Sequence, residues 1–184
     1  MHVSNFRSFL IALAAALPMA ISAPVFAASK SDLESSSKSA LDKLVADVPG
    51  ASALNAKAVA VLVFPTITKA GFMVGGQFGE GVLWRKGKPV GYYNTAGASY
   101  GLQAGAQQYG YAMFFMNQKA LDSLNSTQGF EVGVGPSVVV MDSGMAKNVT
   151  SGTLTEDIYA FVFAQKGLMA GIGIQGNKIS KIQK

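Results

Sequence analysis

Apolar positions along the chain change period several times, and each change predicts an element. Residues 8–26 form an almost unbroken apolar run. From residue 30 the spacing becomes helical: Leu33, Ser37, Ala40, Leu41, Leu44, Val45 and Val48 share one face, and Ser31 followed by Glu34 has capping-box spacing. This predicts a helix over 30–48, ended by Pro49-Gly50, and a short second helix over 51–57. Residues 58–64, AVAVLVF, are a continuous apolar run of strand length, expected to be buried on both faces and stopped by Pro65.

From residue 71 the period falls to two. In GFMVGGQFGEGVLW, residues 71–84, one face carries Phe72, Val74, Gly76, Phe78, Glu80, Val82 and Trp84. The other carries Gly71, Met73, Gly75, Gln77, Gly79, Gly81 and Leu83. Glycine weakens a strand and packs nothing, so a strand this rich in it implies a bulge, a bend, or a backbone or ligand lying close to the bare face. Lys86-Gly87-Lys88-Pro89 reads as the turn of a hairpin joining 82–85 to 90–94. Residues 96–116 repeat the theme, with Gly97, Ser99, Gly101, Gln103, Gly105 and Gln107 on one face, and are expected to run beside the first glycine strand. Asn117 caps a short helix ending at Leu124. Strands are predicted at 129–141, 158–165 and 167–175, with a polar loop over 142–152 and a lysine-bearing tail over 177–184. About seven strands and three helices, the helices mostly first, make an α+β fold: a strongly bent, Gly-rich antiparallel sheet or half-closed barrel with N-terminal helices packed against it.

The chain has 184 residues, enough for one ordinary domain. Residues 1–27 carry one positive charge, Arg7, then the apolar run, then Val25-Phe26-Ala27 with small residues at −3 and −1. They read as a secretory signal peptide cleaved before Ala28, leaving 28–184 as a single domain. Pro18 and Pro24 interrupt the run and make it a poor transmembrane helix. The mature protein is expected to be exported, in a periplasm, and soluble or peripheral to the membrane. The only histidine is His2 and there is no cysteine, so the mature chain has neither. Histidine triads, thiol catalysis and the usual zinc sites are thereby excluded, and no catalytic residue, metal or cofactor is expected. Losing Arg7 leaves 14 basic against 10 acidic residues, a net charge of +4 that suits an anionic surface without pointing to nucleic acid.

Two motifs invite chemistry and do not carry it. GGQFGEG looks like a phosphate loop, yet such loops open a helix at the last glycines, and here Val82-Leu83-Trp84-Arg85 continues a strand; no nucleotide is expected. Ser35-Ser36-Ser37-Lys38 has Ser-x-x-Lys spacing but lacks its Ser-Asp-Asn and Lys-Thr-Gly partners. Glu80 stands apart. It falls on the bulky face between Phe78 and Val82, where a carboxylate needs a partner or a function.

The order and spacing of several motifs carry a resemblance: Val63-Phe64-Pro65, Lys69-Ala70-Gly71-Phe72, Gly75-Gly76 and Gly79-x-Gly81-Val82-Leu83, then Ser99-x-Gly101-x-Gln103-x-Gly105, Gly135-Pro136 and Lys166-Gly167-Leu168-x-Ala170-Gly171. Over roughly 33–179 the chain resembles the SYLF-domain family, lipid-binding domains found in eukaryotes beside SH3 or FYVE domains and in yeast actin-patch proteins. The resemblance implies non-catalytic binding of anionic membrane lipids, phosphoinositides in particular, through basic residues and an amphipathic N-terminal helix. The residues it points to are Lys38 and Lys43 on the first helix, and Lys69 and Lys166 within matching motifs. Arg85, Lys86 and Lys88, gathered at the hairpin tip, join them. Residues 90–96 lack the tryptophan-serine-proline stretch common in eukaryotic members, and 158–165 depart from their tyrosine-serine version. Actin binding is not expected in an exported protein, and phosphatidylglycerol-type lipids are as plausible as phosphoinositides. The alternative is a structural envelope protein, including a small outer-membrane β-barrel. Against a barrel stand the helical segments before the strands and the unbroken apolar run at 58–64.

Overall fold

Ser29, not Ser31, caps the first helix in the computed structural model, which describes residues 28–72, 74–100, 105–126, 129–141, 154–167 and 176–184. Its hydroxyl accepts from the Asp32 amide at 3.2 Å and donates to the Asp32 carboxylate at 2.6 Å, so the cap lies two positions before Ser31, while α1 (Lys30–Asp47) starts at the expected residue. Leu33, Ser37, Leu41 and Leu44 form its buried face. Pro49 does not lie between helices but opens α2 (Pro49–Lys57), where a missing N–H costs no intrahelical bond. Val48 serves as C-cap of one helix and N-cap of the next.

Seven further elements follow α2 and β1 (Ala60–Phe72): β2 (Val74–Arg85), β3 (Lys88–Tyr100), β4 (Gly105–Phe115), α3 (Gln118–Ser123), β5 (Phe130–Glu131), β6 (Val138–Met141) and β7 (Ile158–Gly167), before β8 (Lys178–Ile182) closes the chain. The eight strands form one sheet in the order β5-β8-β3-β2-β1-β4-β7-β6. All neighbours are antiparallel except β6 and β7, which run parallel. The expected α+β architecture, a curled sheet with N-terminal helices against it, is what the chain adopts.

Local expectations fared unevenly. Pro65 does not stop β1: the strand runs on through it, and the register slips between Val63 and Thr66 against β2 and between Phe64 and Ile67 against β4. At such a bulge the ladder lapses, which is where a residue without an N–H is tolerated inside a sheet. Residues 96–116 are two strands rather than one, and they flank opposite sides of the β2–β1 pair instead of lying together. Over 129–141 only the two ends are strand, because Gly133 and Gly135 take positive φ of 98° and 99°. The lysine-bearing tail is β8, an inner strand paired with both β3 and β5. The turn at Lys86-Gly87 is as anticipated, with φ of 49° and 73° giving the twist a two-residue hairpin needs. The signal segment, residues 101–104, the 142–152 loop and the strand expected beyond Gly167 lie outside the described residues.

The two faces of the sheet build two cores. On the inner face Phe64, Ile67, Leu83, Tyr93, Tyr109, Tyr111 and Met113 meet Leu121 and Leu124 of α3, together with Ile158 of β7 and Ile179 of β8. β7 and β8 are separated by four strands in the sheet, so a shared cluster requires the sheet to wrap around it. The bare glycine face turns inward, and its gaps are filled by β1. A Cβ at Gly81 would stand 2.6 Å from the Phe64 ring and 2.7 Å from the Val63 carbonyl oxygen; at Gly79 it would stand 2.8 Å from both Ile67 and the Thr66 carbonyl oxygen. On the outer face Val61, Val63, Val82, Trp84, Ala112 and Phe114 lie under Leu33, Leu41, Leu44 and Leu54 of the helices. The described strands thus make an open sheet ending at β5 and β6, half covered outside by helices. A spanning barrel requires a closed sheet with a lipid-facing outer band.

Asp157 secures the seam between α3 and the β6–β7 pair. It accepts from Asn117 Nδ2 at 2.8 Å and from the Ser137 amide at 3.3 Å, and Asn117 in turn caps α3. These donors, Asn117 first, hold its carboxyl below the usual aspartate range.

Gly81→Ala should destabilise the domain by about 2 kcal/mol, because the backbone carbonyl of Val63 cannot retreat as a flexible side chain would. Thermal unfolding of the purified variant measures this; an unchanged midpoint would show that β1 does not press on β2 here.

Candidate functional site

Placed on the structure, the seven basic candidates divide into three groups. Lys69 is 8% exposed and sits on the inner face, where its register partners are Gln77 on β2 and Gln107 on β4. These three belong to a buried polar layer above the apolar core. Tyr109 donates to Gln77 Oε1 at 2.7 Å, and Gln77 Nε2 donates to Asn177 Oδ1 at 2.5 Å. Burial pushes the Tyr109 phenol up to about 12. Lys69 is therefore not on the surface with the other six. Lys166, on β7 beside Gln108, is exposed and does not line the cleft that Lys38 and Lys86 share. Lys43 is exposed on α1 and paired with Asp47 at 3.1 Å.

The structure does bring Lys38 and Lys86 together. Between α1, the end of α2 and the β2–β3 turn lies a cleft of about 430 Å³, with Lys38 on one wall and Lys86 on the other. Its floor is apolar: Leu41, Val45, Val61 and Trp84. Asp42 also lines it and pairs with Lys38 one helical turn away. Both side chains of that pair are about half exposed, at 46% and 61%, and such pairs are worth little against water, so Lys38 remains open to exchange for another anion. Arg85 and Lys88 are register partners at the hairpin tip but do not line the cleft; Arg85 Nη2 donates to Gln118 Oε1 of α3 at 3.2 Å, on the side of the sheet away from Trp84.

Three groups of contacts hold α1 and its lead-in against the sheet and so fix this cleft. Trp84 Nε1 donates to Ser37 Oγ at 2.9 Å, and that hydroxyl donates to the Val63 carbonyl at 3.3 Å. The Tyr92 hydroxyl donates to Glu34 Oε1, and Lys30 lies over the Tyr92 ring at 5.4 Å. At the helix start, Lys184 Nζ donates to the Ala28 carbonyl at 2.7 Å and pairs with Glu80 Oε2 at 2.9 Å. Glu80 thus has the partner its position demanded, 104 residues away, which no local spacing could have announced. Ser37 was placed on the buried face by periodicity, but its bonds to Trp84 and Val63 had no signal in the sequence.

Glu34 raises Tyr92. Its carboxylate accepts the phenolic proton, burial adds to the effect, and its charge opposes ionisation, so the Tyr92 phenol is pushed up to about 12. Among the described residues, no group of three or more His, Cys, Asp or Glu is placed to hold a metal ion. No helix there is long and apolar enough to cross a membrane.

Residues 96–184 match the family model described as Ysc84, Las17-binding protein actin regulator. The span starts within β3 and takes in everything after it. Over that span it bears out the resemblance to the SYLF-domain family, and it supports a lipid- or actin-associated binding domain, at most, as the class of function; the motifs at 63–83 lie before the span. A comparison of the chain with curated proteins finds no match.

The Tyr92–Glu34 contact should be intact below the free phenol's pKa of about 10 and be lost as pH rises through about 12. In an alkaline difference titration of phenolate absorbance, Glu34→Ala should return one tyrosine midpoint towards the free value. Superimposable titrations would show that Glu34 does not hold Tyr92.

Proposed function

We propose that this chain, whose residues 96–184 carry the Ysc84 (SYLF) family match, is an exported, non-catalytic binding domain for anionic lipid. The observation that supports the reading best is the cleft between the helix layer and the β2–β3 turn: a lysine from each side and an apolar lining that includes Trp84, in a volume of about 430 Å³. Lys38 and Lys86 supply charge to a phosphate, while Leu41, Val45 and Trp84 offer surface to the glycerol and upper acyl carbons. Arg85 and Lys88, at the same hairpin tip but outside the cleft, add only longer-range attraction. Lys43 and Lys166 extend the positive field, and Lys69 takes part only from inside the sheet. Phosphoinositide-type headgroups follow from the family, and phosphatidylglycerol offers the same chemistry. The leader-like residues 1–27 support export to a periplasm, and in that compartment the actin association of the family's description does not carry over.

Neutralising both walls with Lys38→Gln and Lys86→Gln should cost about 2 kcal/mol, roughly thirtyfold in affinity for acidic vesicles. Co-sedimentation with phosphatidylglycerol or phosphoinositide vesicles, against phosphatidylcholine alone, measures it. Binding that ignores both the acidic lipid and added salt would end the reading, since screening weakens charge-driven contact.

A further inference from the structure

Six strands contribute one residue each to a single transverse row on the outer face of the sheet. Lys178, Ala96, Phe78, Thr68, Gln108 and Lys166 are successive register partners across β8, β3, β2, β1, β4 and β7. All six are exposed, and Phe78, near the centre, is 44% exposed. At about 4.8 Å between strands the row spans roughly 24 Å. The next row towards the β1–β2 turn is Ala98, Gly76, Ala70 and Ala106, again exposed and without charge. Beyond it Val74 is 61% exposed. α1 and α2 cover the other half of this face, over Val61, Val63, Val82 and Trp84, and the start of α1 reaches the edge of the row, where Asp32, Leu33 and Ser36 line a cleft with Thr68 and Phe78. The result is a sheet surface of small or uncharged side chains, Thr68 and Gln108 among them, with a large ring near its centre and a lysine on each flank.

Three carboxylates lie near it. Asp32, at the start of α1 beside Phe78, accepts from the Ser29 hydroxyl. Glu80, two residues from Phe78 on the same face, is held by Lys184, and Glu131 stands at the far edge as register partner of Lys178. A protein surface of small side chains around one exposed phenylalanine, with ammonium groups at its margins, matches a lipid interface: apolar atoms enter the acyl boundary while the long lysine side chains reach the phosphates.

We infer that this uncovered half of the outer sheet face is where the domain lies on an acidic bilayer, with Phe78 and Val74 as the inserted side chains and Lys166 and Lys178 as the phosphate contacts. The inference rests on the lipid reading above and adds a second contact surface, remote from the Lys38–Lys86 cleft: Phe78 and Trp84 are six residues apart on β2, about 20 Å.

The absence of cysteine makes the test direct. Phe78→Cys and Ala98→Cys are each labelled with a polarity-sensitive fluorophore, alongside Lys119→Cys on α3 as a reference, and mixed with phosphatidylcholine vesicles with and without phosphatidylglycerol. The expected result is a blue shift and quenching by brominated acyl chains at positions 78 and 98, only with the acidic lipid and reversed by salt, with the label at 119 unchanged. If the unlabelled protein sediments with acidic vesicles while both face labels stay in water, the face assignment falls and the lipid reading survives. If nothing sediments, both fall. A blue shift without vesicles that grows with protein concentration would assign the face to a second copy of the chain and likewise overturn the proposal.

Discussion

The approach of β1 to β2 at the bulge is the contact on which the rest of the molecule depends. Where the register slips around Pro65, the Val63 and Thr66 carbonyls and the Phe64 and Ile67 side chains occupy the space that side chains at Gly79 and Gly81 would need. Removing two side chains from β2 lets β1 press inward, and a bulge adds local twist. The sheet then coils far enough for β7 and β8 to share a core across four intervening strands. A regular pair of strands in the same positions would leave Tyr93, Tyr109 and Tyr111 without a common interior. The glycines, which look like an invitation to a ligand, are the means by which the protein fills its own centre.

That inward commitment frees the outer face for other work, and the face is divided. Near the β2–β3 turn its residues are large, and α1 and α2 cover them through the Ser37–Trp84 and Glu34–Tyr92 contacts. Towards the other end the residues shrink to alanine, glycine and threonine, and the helices do not extend over them. The cleft with Lys38 and Lys86 lies where the helix layer meets the turn; the uncovered rows lie beyond its opposite end.

How much of this was legible depends on the range of the interactions involved. The α1 face was readable because Leu33, Ser37, Leu41 and Leu44 recur at helical spacing, and the α3 cap because Asn117 sits directly before it. The two-faced glycine strand was readable because a period of two survives any tertiary context. Pro65 misled because a proline ends a regular strand but suits a bulge, and a bulge is defined by two partner strands rather than by its own sequence. β8 was missed for a similar reason: KISKI alternates, but three lysines in a short tail read as solvated until β3 and β5 are there to pair with it. Of the site, the basic hairpin tip and the helix lysines were legible. That Lys38 and Lys86 share a cleft, and that Lys69 faces inward, required the pairing of β1 with β2 and β4.

The contact between Lys184, Glu80 and the Ala28 carbonyl also brings the lead-in to α1 and the end of β8 to one point on the molecule. Anything joined to the domain at either side departs from the same spot, beside Phe78 and the uncovered rows. Such a module can be inserted within another chain, or permuted by linking these points and opening a turn elsewhere, with little change to its own packing.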